Sequence, residues 1–462
     1  MNPKAAALLL LPTLACAVGP NYTKPQIPVP KTWNEAMPKA ANAESLARWW
    51  TKFQDPTLDR LVKDAVEGNL GLKIAAARIR EARAARGIAA SAGLPQVGAN
   101  AAYARTHNSP FGPRNQNAFE AGFDAIWEID VFGGVRRDKE AALADVQAAE
   151  EGRREVLVTL LADVGRSYLE LRGTQQQLRI LEETLASERD TLDLAKARLE
   201  AGLGTELDVA RFEGLLKANE AERPVLERQT REAIYRLGVL VGKEPSALAK
   251  DLETQADIPP VPPEIPLMLP SELLSRRPDL KRAERELAAA TARIGVARAD
   301  LFPRFSILGS FGRRSQDAGD LKEGTAQFWN VIPAVRWPIF SGGRIRANIE
   351  VQNARQEQAL LQYEKQILTA LEEVETALSA HTRERSREAS LKAAVESTRR
   401  ALTLATDRYT SGLENFLSVL DAERSVYAAE DQLVRSEKTT AVTLIAVYKA
   451  LGGGWSPEGP SS

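Results

Sequence analysis

Residues 119–131 read FEAGFDAIWEIDV, and every odd position in this stretch is apolar. The even positions include Glu120, Asp124, Glu128 and Asp130. Such alternation predicts a β-strand with one apolar and one polar face. The same alternation predicts further strands at residues 96–105, 304–313 and 328–340. Stretches of this length can cross a membrane as tilted strands, although a soluble sheet with one wet face has the same pattern.

The strands belong to a unit that the chain contains twice. FGGVR at residues 132–136 is echoed by FSGGR at residues 340–344, and GL at residues 202–203 by GL at residues 412–413. Each copy reads as a helix, two strands, a very long helix, a turn and a return helix. The predicted boundaries are residues 58–257 for the first copy, 258–270 for a proline-rich linker and 271–451 for the second copy.

Two very long helices are predicted after the second and fourth strands. Residues 136–200 contain no proline, and residues 344–410 contain neither proline nor glycine. At 1.5 Å per residue, about 65 residues give a helix of about 100 Å. Helices are predicted to return from the two turns over residues 208–241 and 418–451. Taken alone, the long helices also fit a structural coiled-coil protein.

Four strands are too few to close a lipid-facing barrel, for which eight is the usual minimum. Identical chains must therefore pair with the two free edges, and three chains would supply 12 strands. The sequence thus predicts a mixed α and β membrane protein that forms a homotrimer. Residues 106–118 and 314–327 join the strand pairs and are candidate extracellular loops.

The N-terminus predicts export and lipid attachment. Residues 1–15 resemble a cleaved signal peptide, and LAC at residues 14–16 resembles the end of a lipoprotein signal. Cys16 would then carry a covalent lipid; the alternative is an ordinary signal that leaves a stray cysteine. Residues 16–57 are predicted to form an extended, lipid-anchored tether, and residues 452–462 a flexible C-terminal tail.

Composition argues against several classes of function. The 61 basic residues balance 62 acidic ones, which argues against binding nucleic acid. The single cysteine and two distant histidines, His107 and His381, offer no metal site. The sequence contains no phosphate-binding or dinucleotide-binding loop. We therefore expect no enzyme activity, no metal and no cofactor besides the lipid on Cys16.

Several short motifs, each weak alone, occur in order along nearly the whole mature chain. They are GPNY at 19–22, RWW at 48–50, FG at 132–133, RRPDL at 276–280, FP at 302–303, PIF at 338–340 and VLDA at 419–422. Together they resemble the TolC/OprM family of outer-membrane efflux channels, in its NodT-like lipoprotein branch. The resemblance implies a trimer whose 12-stranded outer-membrane β-barrel is continuous with a long periplasmic α-helical barrel.

The family resemblance also implies partners and a cargo. A periplasmic membrane-fusion adaptor and an inner-membrane RND-type pump would complete a tripartite multidrug efflux system. The channel would be a passive conduit for small molecules, anchored by lipid in the cell outer membrane and extending into the periplasm. A conduit for type I protein secretion is the first alternative, and a structural periplasmic coiled-coil protein is the second.

The resemblance further implies a gate at the two helical turns. Leu417 and Asp421 would form constricting rings, and Asp208 and Tyr409 stand where hydrogen bonds would hold the gate. For Asp208 and Ser418, the alternative role is to cap the helices that begin there. For the glycines near the two turns, the alternative role is turn geometry alone. The candidate adaptor contacts are Arg198, Gly202, Leu203, Gly204, Arg408, Ser411, Gly412 and Leu413.

Four acidic residues are predicted to line the lumen of the barrel: Glu120, Asp124, Glu128 and Asp130. Rings of carboxylates favour the passage of cations through pores. The alternative is that these side chains only keep the inner face of the barrel hydrated.

Overall fold

The computed structural model describes residues 17–35, 46–107, 115–262 and 269–456. The helices are α1 Pro56–Gly68, α2 Leu70–Ser91, α3 Gly134–Glu200, α4 Glu206–Glu220, α5 Arg223–Leu240, α6 Ala249–Leu252, α7 Pro270–Arg276, α8 Pro278–Ala299, α9 Arg344–Thr410 and α10 Phe416–Ala450. The strands are β1 Gln96–Thr106, β2 Gln116–Ile129, β3 Arg304–Ser315 and β4 Gln327–Arg336. None of the described helices is long and apolar enough to span a membrane.

The chain divides into two compact units, and each takes residues from both sequence repeats. The first unit comprises Met1–Ile27, Ala76–Gly152 and Asp279–Gln366, and its residues 1–16 and 108–114 lie outside the described chain. The second unit comprises Pro28–Ala75, Arg153–Pro278 and Ile367–Ser462. The repeats predicted from the sequence are therefore not separate compact bodies.

The first unit contains one antiparallel sheet in the order β1-β2-β3-β4. Phe123 faces Phe311 across the β2–β3 pair, and Phe311 faces Trp329 across the β3–β4 pair. These aromatic side chains lie on one face of the sheet because side chains alternate along each strand. All three are more than half exposed in the single chain, so the apolar face of the sheet is uncovered.

The four predicted strands are all present, but their bounds differ by up to about four residues, and the second and fourth end earlier than predicted. We predicted that the second strand ends at residue 131 and the fourth at residue 340, whereas they end at Ile129 and Arg336. After Ile129 the chain turns, with Val131 N bonded to Ile129 O at 2.9 Å. Beyond Arg336, Pro338 has no backbone N–H with which to continue the ladder.

Residues 18–22 are bound to the first unit rather than free. Val18 N donates to Phe132 O at 3.0 Å, and the buried Arg137 donates to Val18 O, Gly19 O and Asn21 Oδ1. The φ angle of Gly19 is +97°, and a Cβ there would lie 2.5 Å from Gly295 Cα. Only glycine therefore fits where the segment crosses α8. We call residues 18–22 the N-terminal strap.

The second unit contains the return helices, and the two copies differ. In the first copy, we predicted one helix over residues 208–241, but the structure has α4 and α5 with a break at Ala221 and Glu222. Pro224 stands in the first turn of α5, where its missing N–H costs no helical hydrogen bond. In the second copy, α10 runs unbroken from Phe416 to Ala450.

The predicted tether and tail are partly folded in the second unit. Trp49 and Phe53 are buried in a short 3-10 helix, so the tether is not extended as far as residue 57. Trp49 stacks on Tyr448 with 5.3 Å between ring centroids. Residues 451–455 are buried, and Gly454 N donates to Leu46 O, so the tail is not flexible from residue 452. Residues 457–462 lie outside the described chain.

Candidate functional site

The two long helices end in turns of the same geometry. Gly202 has φ +72° and Gly412 has φ +74°, a conformation that glycine adopts without steric cost. Leu203 N donates to Arg198 O and Leu413 N donates to Arg408 O, both at 2.8 Å. The glycines thus close both helices with the hydrogen-bond pattern of a Schellman cap. The repeat seen in the sequence is a repeat of backbone structure.

Behind these turns lies an apolar cluster that we call the tip core. Its buried residues come from both helix–turn–helix copies and are Leu181, Leu185, Leu192, Ala195, Phe212, Leu215, Leu216, Leu226, Tyr409, Phe416, Val419 and Leu420. Most of these side chains belong to the four helices α3, α4, α9 and α10, and Leu226 belongs to α5. The tip core therefore holds the two copies together within the second unit.

Three aromatic rings and one guanidinium form the junction of these four helices. The Phe416 ring lies 4.6 Å from the Phe212 ring and 5.2 Å from the Tyr409 ring. The Arg198 guanidinium lies 4.5 Å from the centroid of the Tyr409 ring, within the range of a cation–π interaction. Arg198, a candidate adaptor contact, thus packs inside its own chain. Sequence reasoning missed Phe212 and Phe416, although both lie within about ten residues of a predicted turn.

The predicted helix caps are displaced by three residues. Thr205 and Asn415 are the N-cap residues, and Asp208 and Ser418 stand in the first turn. The Asp208 carboxylate accepts from Thr205 Oγ1 at 2.6 Å and from Thr205 N at 3.3 Å, which completes a capping box. The negative charge of Asp208 also contributes to raising the pKa of the Tyr409 hydroxyl, after burial as the main cause. The charge of Asp208 therefore acts on the Tyr409 hydroxyl, and a hydrogen bond between the two residues stays a prediction.

Leu417 and Asp421 are exposed on one face of α10, one helical turn apart. Phe416, Val419 and Leu420 of the same helix are buried in the tip core. The candidate gate residues are thus displayed on a helix whose opposite side is fixed. Near the turns, Leu203 and Leu413 are each 70% exposed, while Ser411 Oγ donates to Asp407 O. Arg408 lies 3.5 Å from the Glu414 carboxylate.

The polar face of the sheet carries three of the predicted lumen carboxylates, and two of these lie close to an arginine. Arg314 lies opposite Glu120 and bonds to it at 2.7 Å. Arg304 Nη1 lies 3.9 Å from Glu128 Oε2. Asp124 instead accepts a hydrogen bond from the neutral Asn100 at 2.7 Å. Of these three carboxylates, Asp124 therefore keeps the least compensated charge.

Asp130 lies beyond the end of β2, and its carboxylate binds backbone N–H groups instead of facing the lumen side of the strand. Its carboxylate accepts from the backbone N–H groups of Val135 and Arg136, at 3.1 and 2.9 Å. These N–H groups belong to the first turn of α3, where no helical acceptor is available. The structure thus places Asp130 at a helix start, outside the strand in which the alternating pattern had included it. Cys16 lies outside the described residues, and among the described residues no cluster could hold a metal ion.

The protein combines an uncovered four-stranded sheet, two helices of 67 residues and paired glycine turns, the arrangement expected for one chain of an outer-membrane channel. The profile of the outer membrane efflux protein family matches residues 61–243 and 269–453, so the chain belongs to this family. The chain is 36% identical to outer membrane protein OprJ of Pseudomonas aeruginosa, over 97% of this chain and 95% of OprJ. It is 32% identical to nodulation protein T of Rhizobium leguminosarum bv. viciae, over 98% and 93% of the two chains.

Solved structures give the same result. The outer-membrane channel OprN superposes with a TM-score of 0.88 at 36% identity, covering 96% of this chain and 100% of OprN. The open state of the MtrE outer membrane channel of Neisseria gonorrhoeae has a TM-score of 0.85 at 29% identity, with 95% and 99% coverage. The predicted family and fold class are confirmed: this is the fold of trimeric channels with a β-barrel and a long helical barrel. The protein is an outer-membrane component of an efflux pump.

Proposed function

We propose that the protein is the passive conduit of a tripartite pump that exports small molecules, gated at the two helical turns. The observation that carries the gate is the tip core, which joins helices of both copies of the repeat just behind Leu417 and Asp421. Parting of these helices would widen the passage that the two side chains line. Such a conduit needs a lumen and a gate but no catalytic group, because the pump supplies the energy.

Small molecules are favoured over proteins as the cargo. Relatives at 31–34% identity include the pyoverdine export protein OpmQ, the toluene efflux pump protein TtgF and the solvent efflux pump protein SrpC. All three names refer to small molecules. The cargo of this chain is proposed to be of the same size class, which includes drugs and solvents.

A periplasmic adaptor is proposed to dock at the turns, and an RND-type inner-membrane pump to feed the conduit. Leu203 and Leu413 support this docking, because both protrude from turns whose backbone is fixed by glycine. A pair of exposed apolar side chains at equivalent places suits an adaptor that contacts both copies of the repeat. A lipid on Cys16 is proposed to anchor the chain, since the strap begins only two residues later.

The proposed function predicts two results that can be measured together. Deleting the gene should sensitise the cell to toxic small molecules, and the intact gene should restore resistance. The purified trimer should conduct ions across a planar lipid bilayer. Restored resistance without any conductance, or conductance with unchanged sensitivity to every compound tried, would contradict the proposal.

The role of Asp208 can be separated into capping and latching. Asp208→Ala and Thr205→Ala both remove the capping box, so each should destabilise the first turn of α4 by about 1 kcal/mol. Hydrogen exchange at residues 206–208 measures this loss. If Asp208 also latches the gate through Tyr409, Asp208→Ala should raise bilayer conductance above that of Thr205→Ala, and more so when combined with Tyr409→Phe. Equal conductance of all these variants would leave Asp208 as a cap alone.

Asp124 should control ion selectivity more than its two neighbours on the sheet. A carboxylate attracts a cation at about 4 Å in water by about 1 kcal/mol, so Asp124→Asn should lower the cation-to-anion permeability ratio by about fivefold. Glu120→Gln is the matched control, because Arg314 already compensates Glu120. Reversal potentials in a salt gradient give the ratio. A larger effect of Glu120→Gln than of Asp124→Asn would refute the assignment.

A further inference from the structure

Two carboxyl groups are buried beside the tip core, on helices of different repeats. Glu188 of α3 is 2% exposed and Glu423 of α10 is 8% exposed. Glu188 Oε1 accepts from Asn219 Nδ2 at 2.6 Å, and Glu423 Oε1 accepts from Thr191 Oγ1 at 2.8 Å. The second oxygen of each, Oε2, is buried and has no hydrogen-bond partner among the described residues. Each carboxyl group is therefore only half satisfied.

The surroundings of the pair disfavour negative charge. Leu185 and Leu192 of α3 and Val419 and Leu420 of α10 are close in sequence to the two glutamates and belong to the tip core. Burial, together with the smaller effect of the negative charge of Glu188, raises the pKa of Glu423 to about 7, although the hydrogen bond from Thr191 lowers it. Burial also raises the pKa of Glu188. A proton on either group removes a buried charge and supplies a hydrogen-bond donor.

Charged groups on the neighbouring helices do not cancel this effect. Those that act on Glu188 are Arg189 of α3, Glu220 of α4 and Arg424 of α10. Glu220 is itself paired with Arg189 and with Lys217 of its own helix. Burial is the main cause that raises the pKa of Tyr427 of α10. The negative charges of Asp431, Glu222 and Glu188 raise it further, and Arg435 lowers it. The described residues of α9 that pack on the tip core are Leu402, Ala405 and Tyr409.

We propose that Glu188 and Glu423 hold a proton while the tip helices are packed, and that loss of this proton loosens α3 from α10. The inference rests on the proposed gate, because loosening at this place would open it. The packing of the tip helices would then respond to the pH of the periplasm, which follows the pH of the medium.

The direction of the pH dependence follows from the raised pKa values. A carboxyl whose pKa is raised by packing stabilises the packed state fully below its ordinary pKa, and this stabilisation is lost as pH rises through the raised value. For Glu423 the window runs from the ordinary 4.5 to about 7. If separation of the helices restores the ordinary pKa, the open-to-packed ratio should rise about tenfold between about pH 6 and pH 8.

The test compares Glu423→Gln and Glu188→Gln with wild-type trimer. Glutamine keeps the shape of a protonated glutamate but cannot ionise. Glu183→Gln is the matched control, because Glu183 is an exposed carboxylate on the same helix α3. Three quantities are measured at about pH 6 and pH 8: bilayer conductance, hydrogen exchange at residues 185–192 and 419–427, and the infrared band of protonated carboxyl groups.

At the higher pH, wild type and Glu183→Gln should show higher conductance and should lose the infrared band of protonated carboxyl groups. Their hydrogen exchange should also be faster, after correction for the intrinsic pH dependence of amide exchange. Glu423→Gln should weaken the band and abolish the pH dependence, and Glu188→Gln should reduce it. Unchanged pH dependence in both glutamine variants would overturn the proposal, as would a pH dependence that a chelator removes, since a divalent cation would then occupy the pair. The hydrogen-exchange and infrared measurements test the Glu188–Glu423 pair separately from the proposed gate, because they do not require the trimer to conduct ions.

Discussion

Replacing Phe416 by alanine is expected to produce a trimer that is largely open. The Phe416 ring touches Phe212 of the first copy and Tyr409 of its own copy, so its loss removes the aromatic contact between the two copies of the repeat. Truncation of a buried phenylalanine costs about 3–5 kcal/mol, which would shift the packed-to-open equilibrium by on the order of a hundredfold or more. Bilayer conductance and the uptake of a bulky polar dye by cells should both rise.

Two variants control for this expectation. Phe416→Leu keeps most of the apolar volume and should open the trimer much less. Leu404→Ala removes an exposed apolar side chain of α9 and should leave conductance unchanged. A folded Phe416→Ala trimer with wild-type conductance would show that the aromatic junction does not hold the gate.

The second large effect is expected for Trp49→Ala, and it concerns stability rather than gating. Trp49 is 1% exposed, stacks on Tyr448 and makes edge contacts with the rings of Trp50 and Phe53. Gly165 lacks the Cβ that would otherwise lie 2.7 Å from Trp49 Cη2. Loss of so closely packed a ring should destabilise the second unit by about 3–5 kcal/mol.

Thermal unfolding of the purified trimer in detergent, followed by circular dichroism, measures this loss. The adjacent Trp50 is the matched control, because it is only partly buried. Trp50→Ala should lower the unfolding temperature by clearly less than Trp49→Ala. Equal decreases in unfolding temperature for the two substitutions would show that the buried, stacked ring of Trp49 contributes no more stability than the partly buried ring of Trp50.

Local patterns in the sequence were enough to predict the strands and the long helices. The alternation at residues 119–131 depends only on neighbours in the chain, and β2 duly occupies most of this stretch. The second long helix was predicted to begin at residue 344 and to end near residue 410, and α9 has these bounds. The break before α5 could also have been read from Pro224, which is not tolerated inside a helix.

Contacts between distant parts of the chain could not be predicted in this way. Charged residues are almost never fully buried, so Glu188 and Glu423 read as surface positions of amphipathic helices. The burial of residues 451–455 depends on Trp49, some 400 positions earlier, and no local pattern links the two. Capping was stated as the alternative role of Asp208, but the N-cap is Thr205, which could have been predicted because it precedes Asp208 by the three residues that a capping box requires.

The hydrogen bond from Val18 to Phe132 also bears on how the protein would be assembled. Two residues of chain span at most about 7 Å. If Cys16 carries the proposed lipid, its acyl groups would therefore be tethered close to Val18. Three chains would then bring their hydrocarbon to the same depth before any barrel exists. Encounter of the subunits would be confined to the plane of one leaflet, and a Cys16→Ala variant should therefore form trimers more slowly without a change in their final structure.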